Sequence, residues 1–251
     1  GNSSNWLVPP NGAPVLQSVS LASQDSPLYN PAKTGVNGPK DIYWRVRTYD
    51  NAPARRSGQQ VMLIDAVDQI GAGRRAYLYI PGQRRVKLAP DLSYDTPNPY
   101  TGGASTMDDA RGGFAGALDR YDWKLGGKVE KYILHNTFAA YDNKACPDSK
   151  WVSTKYFPNP DCLRWELHRV WAVTGTLKPG FRHIYAKRTL YWDEDSYTAG
   201  QGENYDAAGK LYRVILPLHM TMYEAQATYA GPTVAMDLQT GIWASNGART
   251  C

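Results

Sequence analysis

The sequence predicts a mainly β protein built as an antiparallel meander with one short helix, an α+β chain weighted heavily to β. Three observations carry that reading. Short runs alternate apolar and polar side chains with the period of two that a half-buried strand requires. Glycine (23) and proline (17) recur between those runs, where tight turns need a positive or a fixed φ. Eight Trp and 18 Tyr stand against four Phe, and these residues suit sheet faces because each joins an apolar body to a polar tip. At 251 residues the chain can bury a sizeable core, as one large β domain or two small ones.

Residues 1–40 are rich in Pro, Gly, Asn and Ser and read as an extended lead with one strand at Val15–Ala22. Ile42–Tyr49 alternates cleanly, with Ile42, Trp44, Val46 and Thr48 on one face. Val61–Asp68 is apolar on both faces and so predicts a strand covered on both sides. Arg74–Ile80 sets Ala76, Leu78 and Ile80 against Arg75, Tyr77 and Tyr79, turns at Pro81-Gly82, and returns through Val86 and Leu88 as a hairpin. Tyr94–Pro99 (YDTPNP) has prolines at a spacing that excludes regular structure and predicts a rigid polar loop. Ser105-Thr106-Met107-Asp108 fits a helix capping box, with Asp109 adding charge to the first turn. Gly112 and Gly113 then predict a helix that is short and mobile.

Asp119–Leu125 and Val129–His135 return to strand. Trp165–Val173 places Trp165, Leu167, Trp171 and Val173 opposite Glu166 and His168. After the turn at Lys178-Pro179-Gly180, Arg182–Trp192 aligns Ile184, Ala186, Leu190 and Trp192 against Tyr185, Lys187 and Tyr191. Tyr205–Lys210 is a hairpin turn, Leu211–Tyr223 is a strand interrupted at Pro217, and Thr233–Leu238 with Gly241–Ala244 forms a last hairpin. The total is about ten strands with short connections and no internal repeat.

A net charge of +5 comes from 28 basic and 23 acidic residues mixed along the chain. No basic stripe or known module points to nucleic acid. Of three cysteines, Cys146 and Cys162 bracket a loop that a local disulfide would stiffen, two free thiols being the alternative; Cys251 has no obvious partner. No Cys/His spacing suggests a metal, and no nucleophile elbow, zinc helix or phosphate loop occurs, so neither cofactor nor metal is expected. His135, His168, His183 and His219 all fall in expected strands and could converge in space, although a strand histidine is more often a structural or surface residue than a ligand. Asp193-Glu194-Asp195 reads as a solvated turn, and nothing in the sequence joins Asp122 to Glu166 as a glycosidase pair. No apolar run is long enough to span a membrane, and the polar, Pro-rich start reads as a mature or trimmed terminus.

Six motifs occur in order: PGQRRV at 81–86, YDTPNP at 94–99, DRYDWKL at 119–125, ELHRVW at 166–171, LKPGFRHIYAKRTLYWDEDS at 177–196 and YDAAGKLYRV at 205–214. Together they resemble a Gram-negative, outer-membrane lipoprotein-sorting-like family (domain of unknown function 1329) with a LolA/LolB-like fold. The resemblance covers residues 40–240, with the Cys146–Cys162 insertion and the Gly-rich helix as departures. It implies a strongly curved antiparallel sheet, a half-barrel whose concave face is covered by a few short helices. A single domain would then occupy 41–245, between the lead and a tail at 246–251. It further implies a periplasmic, non-enzymatic carrier for a lipid or other hydrophobic molecule, working with an RND-type exporter and an outer-membrane partner. An interaction scaffold is the alternative, and a hydrolase comes third. On this reading Trp44, Leu63, Leu78, Ile80, Trp123, Trp171, Ile184 and Trp192 line the ligand site. Arg84, Arg85, Asp95, Asp119, Arg120 and Asp122 form its charged rim, or an ion-pair network pinning the loop to the sheet, the commoner arrangement beside Pro-rich loops.

Overall fold

Alternating segments become hydrogen-bonded ladders in the computed structural model, which describes residues 2–30, 32, 34–35, 37–229 and 231–247. The strands are β1 (Asn2–Val8), β2 (Val15–Asp25), β3 (Ile42–Ala52), β4 (Gln60–Ala66), β5 (Arg74–Ile80), β6 (Arg85–Leu88), β7 (Tyr121–Leu134), β8 (Trp165–Leu177), β9 (Lys187–Asp193), β10 (Ala199–Tyr205) and β11 (Leu211–Pro217). They continue with β12 (Met220–Met222), β13 (Ala227–Tyr229), β14 (Thr233–Asp237) and β15 (Ile242–Asn246). The helices α1 (Phe138–Tyr141) and α2 (Asp148–Trp151) are one turn each.

Thirteen strands form one antiparallel sheet in the order β6-β5-β4-β3-β2-β1-β15-β14-β11-β10-β9-β8-β7, and β12 and β13 form a separate hairpin. The sheet is two meanders back to back. One runs from β1 out to the edge at β6, the other from the edge at β7 in to β15. They meet where Trp6, Leu7 and Val8 pair with Ser245, Ala244 and Trp243. The segment expected as an extended lead therefore supplies two strands at the middle of the sheet. From residue 248 onward the expected tail, with Cys251, lies outside the described residues.

The expected half-barrel is corrected: the sheet is neither closed nor strongly curled, and its edges β6 and β7 do not pair. Both faces carry a covering segment, so burial does not draw the sheet to roll around one of them. On one face, residues 135–164 lie over the junction of the meanders. Trp151 of α2 packs edge-on against Trp243, its ring nitrogen donates to Ser245 Oγ (3.2 Å), and Trp243 donates to Thr154 O (3.1 Å). The Cys146–Cys162 disulfide is formed and lies in the same core with Val8, Leu134, Leu216 and Val234. Asn246, three residues after Trp243 and so on the other face, donates to Ala110 O in residues 89–120. That second segment, the strap, leaves edge strand β6 and enters edge strand β7. Along β6 the exposed Arg85 and Lys87 discourage pairing with another chain.

Two face assignments differ from expectation. On β8, Trp165 and Leu167 are exposed, whereas Val170 is buried and Glu166 and His168 point inward. Lys128 lies over the ring of Trp171 at 4.6 Å, covering the tryptophan with a basic side chain. β9 begins only at Lys187, so Ile184 lies in the loop before it. A capping box forms one residue later than expected, between Thr106 and Asp109 in place of Ser105 and Asp108, on a 3-10 turn at Met107–Asp109. Those three residues are buried, not a mobile lid.

Candidate functional site

A segment that crosses an apolar sheet face must find partners for its own polar groups. The strap does so at both ends of the sheet. Near β3, Arg56 donates to Pro99 O and lies 4.8 Å from the centre of the Tyr100 ring, while Tyr100 shares a 2.7 Å hydrogen bond with Thr48. Burial, with Asp50 nearby, pushes the Tyr100 hydroxyl up to about 12. From β5, Arg74 pairs with Asp65 (2.7 Å) and donates to Ala115 O (2.7 Å). From β9, Arg188 reaches Asp108 (3.1 Å) and Asp109 (2.6 Å), all three fully or almost fully buried. His183 also bonds Asp108, and Tyr185 donates to Asp109. Burial alone would raise Asp108, but Arg188 and the His183 hydrogen bond hold its carboxyl down to about 2.

Between the strap and β1–β4 lies a cavity of about 240 Å³. Its apolar wall is made of Trp44 and Val46 from β3, Val61 and Leu63 from β4, and Leu92 and Met107 from the strap. Alternation supplies the strand half of that wall, because residues two apart face the same way. Arg111 of the strap stands at the cavity, its guanidinium 4.8 Å from the Trp44 ring and bonded to the Tyr43 hydroxyl (3.1 Å). Among the described residues no carboxylate forms an ion pair with it.

Of the eight residues expected around a ligand, Trp44 and Leu63 are on this wall, and Leu78 packs against the same core from outside it. Ile80 lies at the end of β5. Trp123 packs on Phe114 (5.3 Å) at the far end of the strap, and Trp171 pairs with Trp192 across β8 and β9. In the polar set, Arg120 stacks on Tyr94 and pairs with Asp95 (3.5 Å), and Tyr94 donates to Asp119. Arg84 and Arg85 sit apart at the β5–β6 turn, and Asp122 is exposed on β7. Sequence reasoning passed over Arg188, although its position in the apolar series of Ile184, Ala186, Leu190 and Trp192 was a signal. Asp108 and Asp109 were read only as helix-start charges.

A second cluster forms where the end of β7 folds onto β10. The side chain of Ile133 fills the space over Gly200, where a Cβ would come within 2.6 Å of it. This places His135, just past β7, 4.6 Å from the His168 ring and 5.5 Å from His219. His168 sits between two carboxylates, Asp193 at 2.8 Å and Glu166 at 3.2 Å. Burial opposes a charge on His168, but these partners outweigh it and raise its pKa. His219 is pushed down to about 4, by burial above all. His183 stands apart, with Asp108.

The fold is one already seen in LolA-like proteins. It aligns with a crystal structure from Vibrio parahaemolyticus described as an outer membrane lipoprotein-sorting protein domain (TM-score 0.60, 13% identity, 98% of this chain and 82% of that one). It also aligns with the LolA superfamily protein NE2245 from Nitrosomonas europaea (TM-score 0.51, 12% identity, 97% and 80%). At such identities the likeness concerns the fold alone. More specifically, the chain belongs to the DUF1329 family of proteins of unknown function, which it matches over residues 1–250. A crystallised DUF1329 protein from Desulfovibrio piger superimposes with a TM-score of 0.61 at 10% identity, over 97% of this chain and 80% of that one. The chain is 39% identical over 221 residues to the uncharacterized protein PA3922 of Pseudomonas aeruginosa, covering 88% of this chain and 47% of that protein, so it spans about half the length of that relative.

Proposed function

We propose that the protein is a non-enzymatic carrier for an amphiphile with one apolar chain and an anionic head. The cavity under the strap carries the proposal: its wall is Trp, Val, Leu and Met, and beside it stands Arg111, which has no carboxylate partner among the described residues. A volume of about 240 Å³ lies below the roughly 300–1,000 Å³ usual for drug-sized ligands, which suits a single short chain. We place the protein in the periplasm. The Cys146–Cys162 disulfide fits an oxidising compartment, and no helix among the described residues is long and apolar enough to cross a membrane. Exchange with an RND-type exporter and an outer-membrane acceptor is the role that the resemblance to lipoprotein-sorting proteins suggests.

The test is displacement of a fluorescent fatty-acid probe by saturated carboxylates of increasing length, alongside native mass spectrometry of protein from a periplasmic extract. Each methylene buried contributes about 0.8 kcal/mol, so affinity should tighten about fourfold per carbon until the cavity is full. Val46→Trp, which fills the cavity, should weaken the probe at least tenfold. Arg111→Met should weaken carboxylates but not alcohols of the same length. No bound mass and no displaceable probe, or binding unchanged by Val46→Trp, would overturn the carrier and favour an interaction scaffold.

A further inference from the structure

The geometry points to a binding site for a divalent transition-metal ion of the zinc class, formed by His135, Glu166 and His168 and separate from the cavity. Glu166 and His168 are two apart on β8 and share a face, and His135 is set beside them by a backbone bond from its N–H to Arg164 O. The three candidate ligand atoms lie within 4.8 Å of one another. Glu166 Oε2 is 3.2 Å from His168 Nε2 and 3.5 Å from His135 Nδ1. A tetrahedral ion with bonds of ~2.1 Å separates its ligand atoms by ~3.4 Å, so both distances match edges of such a site.

The surrounding bonds are those a metal site requires. His168 Nδ1 is held by Asp193, whose other oxygen accepts from Ser196 N (2.9 Å) and Oγ (2.6 Å). A carboxylate so fixed keeps the proton on Nδ1 and turns the Nε2 lone pair toward Glu166. Glu166 Oε1 is occupied by Arg164 (2.7 Å) and Asn136 (3.1 Å), leaving Oε2 for the ion. The independent observation is His135. It is only 8% exposed, and its buried Nδ1 finds no hydrogen-bond partner among the described residues. At 3.5 Å from Oε2 it is too far for a good hydrogen bond, and an unpaired buried nitrogen costs free energy that a shared cation would recover. His219 is outside the set of converging ligand atoms: its Nε2 donates to Ala199 O (2.8 Å) and its Nδ1 faces Thr198 Oγ1 (3.4 Å). Two imidazoles and one carboxylate favour zinc, cobalt, nickel or copper over magnesium or calcium. Three protein ligands leave a fourth position for water or an exogenous anion.

The experiment is titration of the chelator-stripped protein with Zn²⁺ against a chromophoric chelator, with Co²⁺ as a spectroscopic substitute. The expected result is one equivalent of Zn²⁺ and the intense visible bands of four-coordinate Co²⁺. His135→Gln and the near-isosteric Glu166→Gln should each weaken Zn²⁺ at least tenfold and abolish the Co²⁺ bands, with the circular dichroism of the folded protein retained. Should His135→Gln fail to fold, Glu166→Gln decides the matter. Absence of stoichiometric binding, or binding unaffected by these substitutions, would overturn the site and leave His168 as a proton bridge between two carboxylates only.

Discussion

Replacing Arg188 by Met should be among the most damaging single substitutions in the protein. Its guanidinium is wholly buried, bonded to Asp108 and Asp109, and enclosed by Phe114 (4.7 Å) and Tyr185 (5.3 Å). Methionine fills much of the space but leaves two carboxylates in the interior without their cation, a change that costs about 3–5 kcal/mol. For a chain of this size each kcal/mol moves the melting temperature by about 2–4 °C, so the midpoint should fall by roughly 6–20 °C. Urea unfolding followed by tryptophan fluorescence reads the loss directly. The losses should also be non-additive: Arg188→Met combined with Asp108→Asn and Asp109→Asn should recover much of the stability, because the uncompensated charges are gone. A loss below about 1 kcal/mol for Arg188→Met, or strictly additive losses in the combined variant, would refute the claim that this cluster clamps the strap to β9.

Two further predictions concern stability. Cys146→Ser with Cys162→Ser opens a loop of sequence separation 16 and should cost about 3 kcal/mol, seen as a lower urea midpoint that reductant reproduces in the wild type. Asp108, held at about 2 in the folded protein against ~3.9 unfolded, contributes stability that is complete above about pH 4 and lost as pH falls through 2. That window should carry about 2 kcal/mol in a pH series of urea midpoints, and Asp108→Asn should flatten it.

Much of the fold was legible from local pattern. The alternation of Ile42–Tyr49, the Pro81-Gly82 turn and the Tyr205–Lys210 hairpin all appear in the structure, and the capping box appears one residue beyond its expected place. Pro217 ends β11 where the strand was expected to break. Long-range pairing was not legible. Nothing near Asn2–Val8 states that its partner is Ile242–Asn246, so a Pro- and Asn-rich stretch read as a loose lead although it lies at mid-sheet. The inward face of β8 was misjudged because alternation separates two faces without saying which is covered. Trp44 and Leu63 lie on the cavity wall because β3 and β4 both border it, and alternation makes such faces legible. Arg111 was not legible, because its irregular segment carries no period. The histidine cluster draws on positions 135, 168 and 219, too far apart for spacing to suggest contact.

The junction between β1 and β15 has a consequence for how the protein is made. Every other neighbouring pair in the large sheet except β11–β14 is consecutive in sequence and can zip up as soon as its second strand exists. β1 is different: one of its edges stays unpaired until Ile242–Asn246, far along the sequence, has been synthesised. Docking the two meanders is therefore the late, slow event of biogenesis, and until then Asn2–Val8 offers an open strand edge of the kind that chaperones shield and aggregates recruit. Without β15 the meanders are linked through the strap and through residues 135–164, as in the bond from Ser4 Oγ to Asp148 (3.2 Å). β15 is thus the strand that locks the two meanders into one sheet.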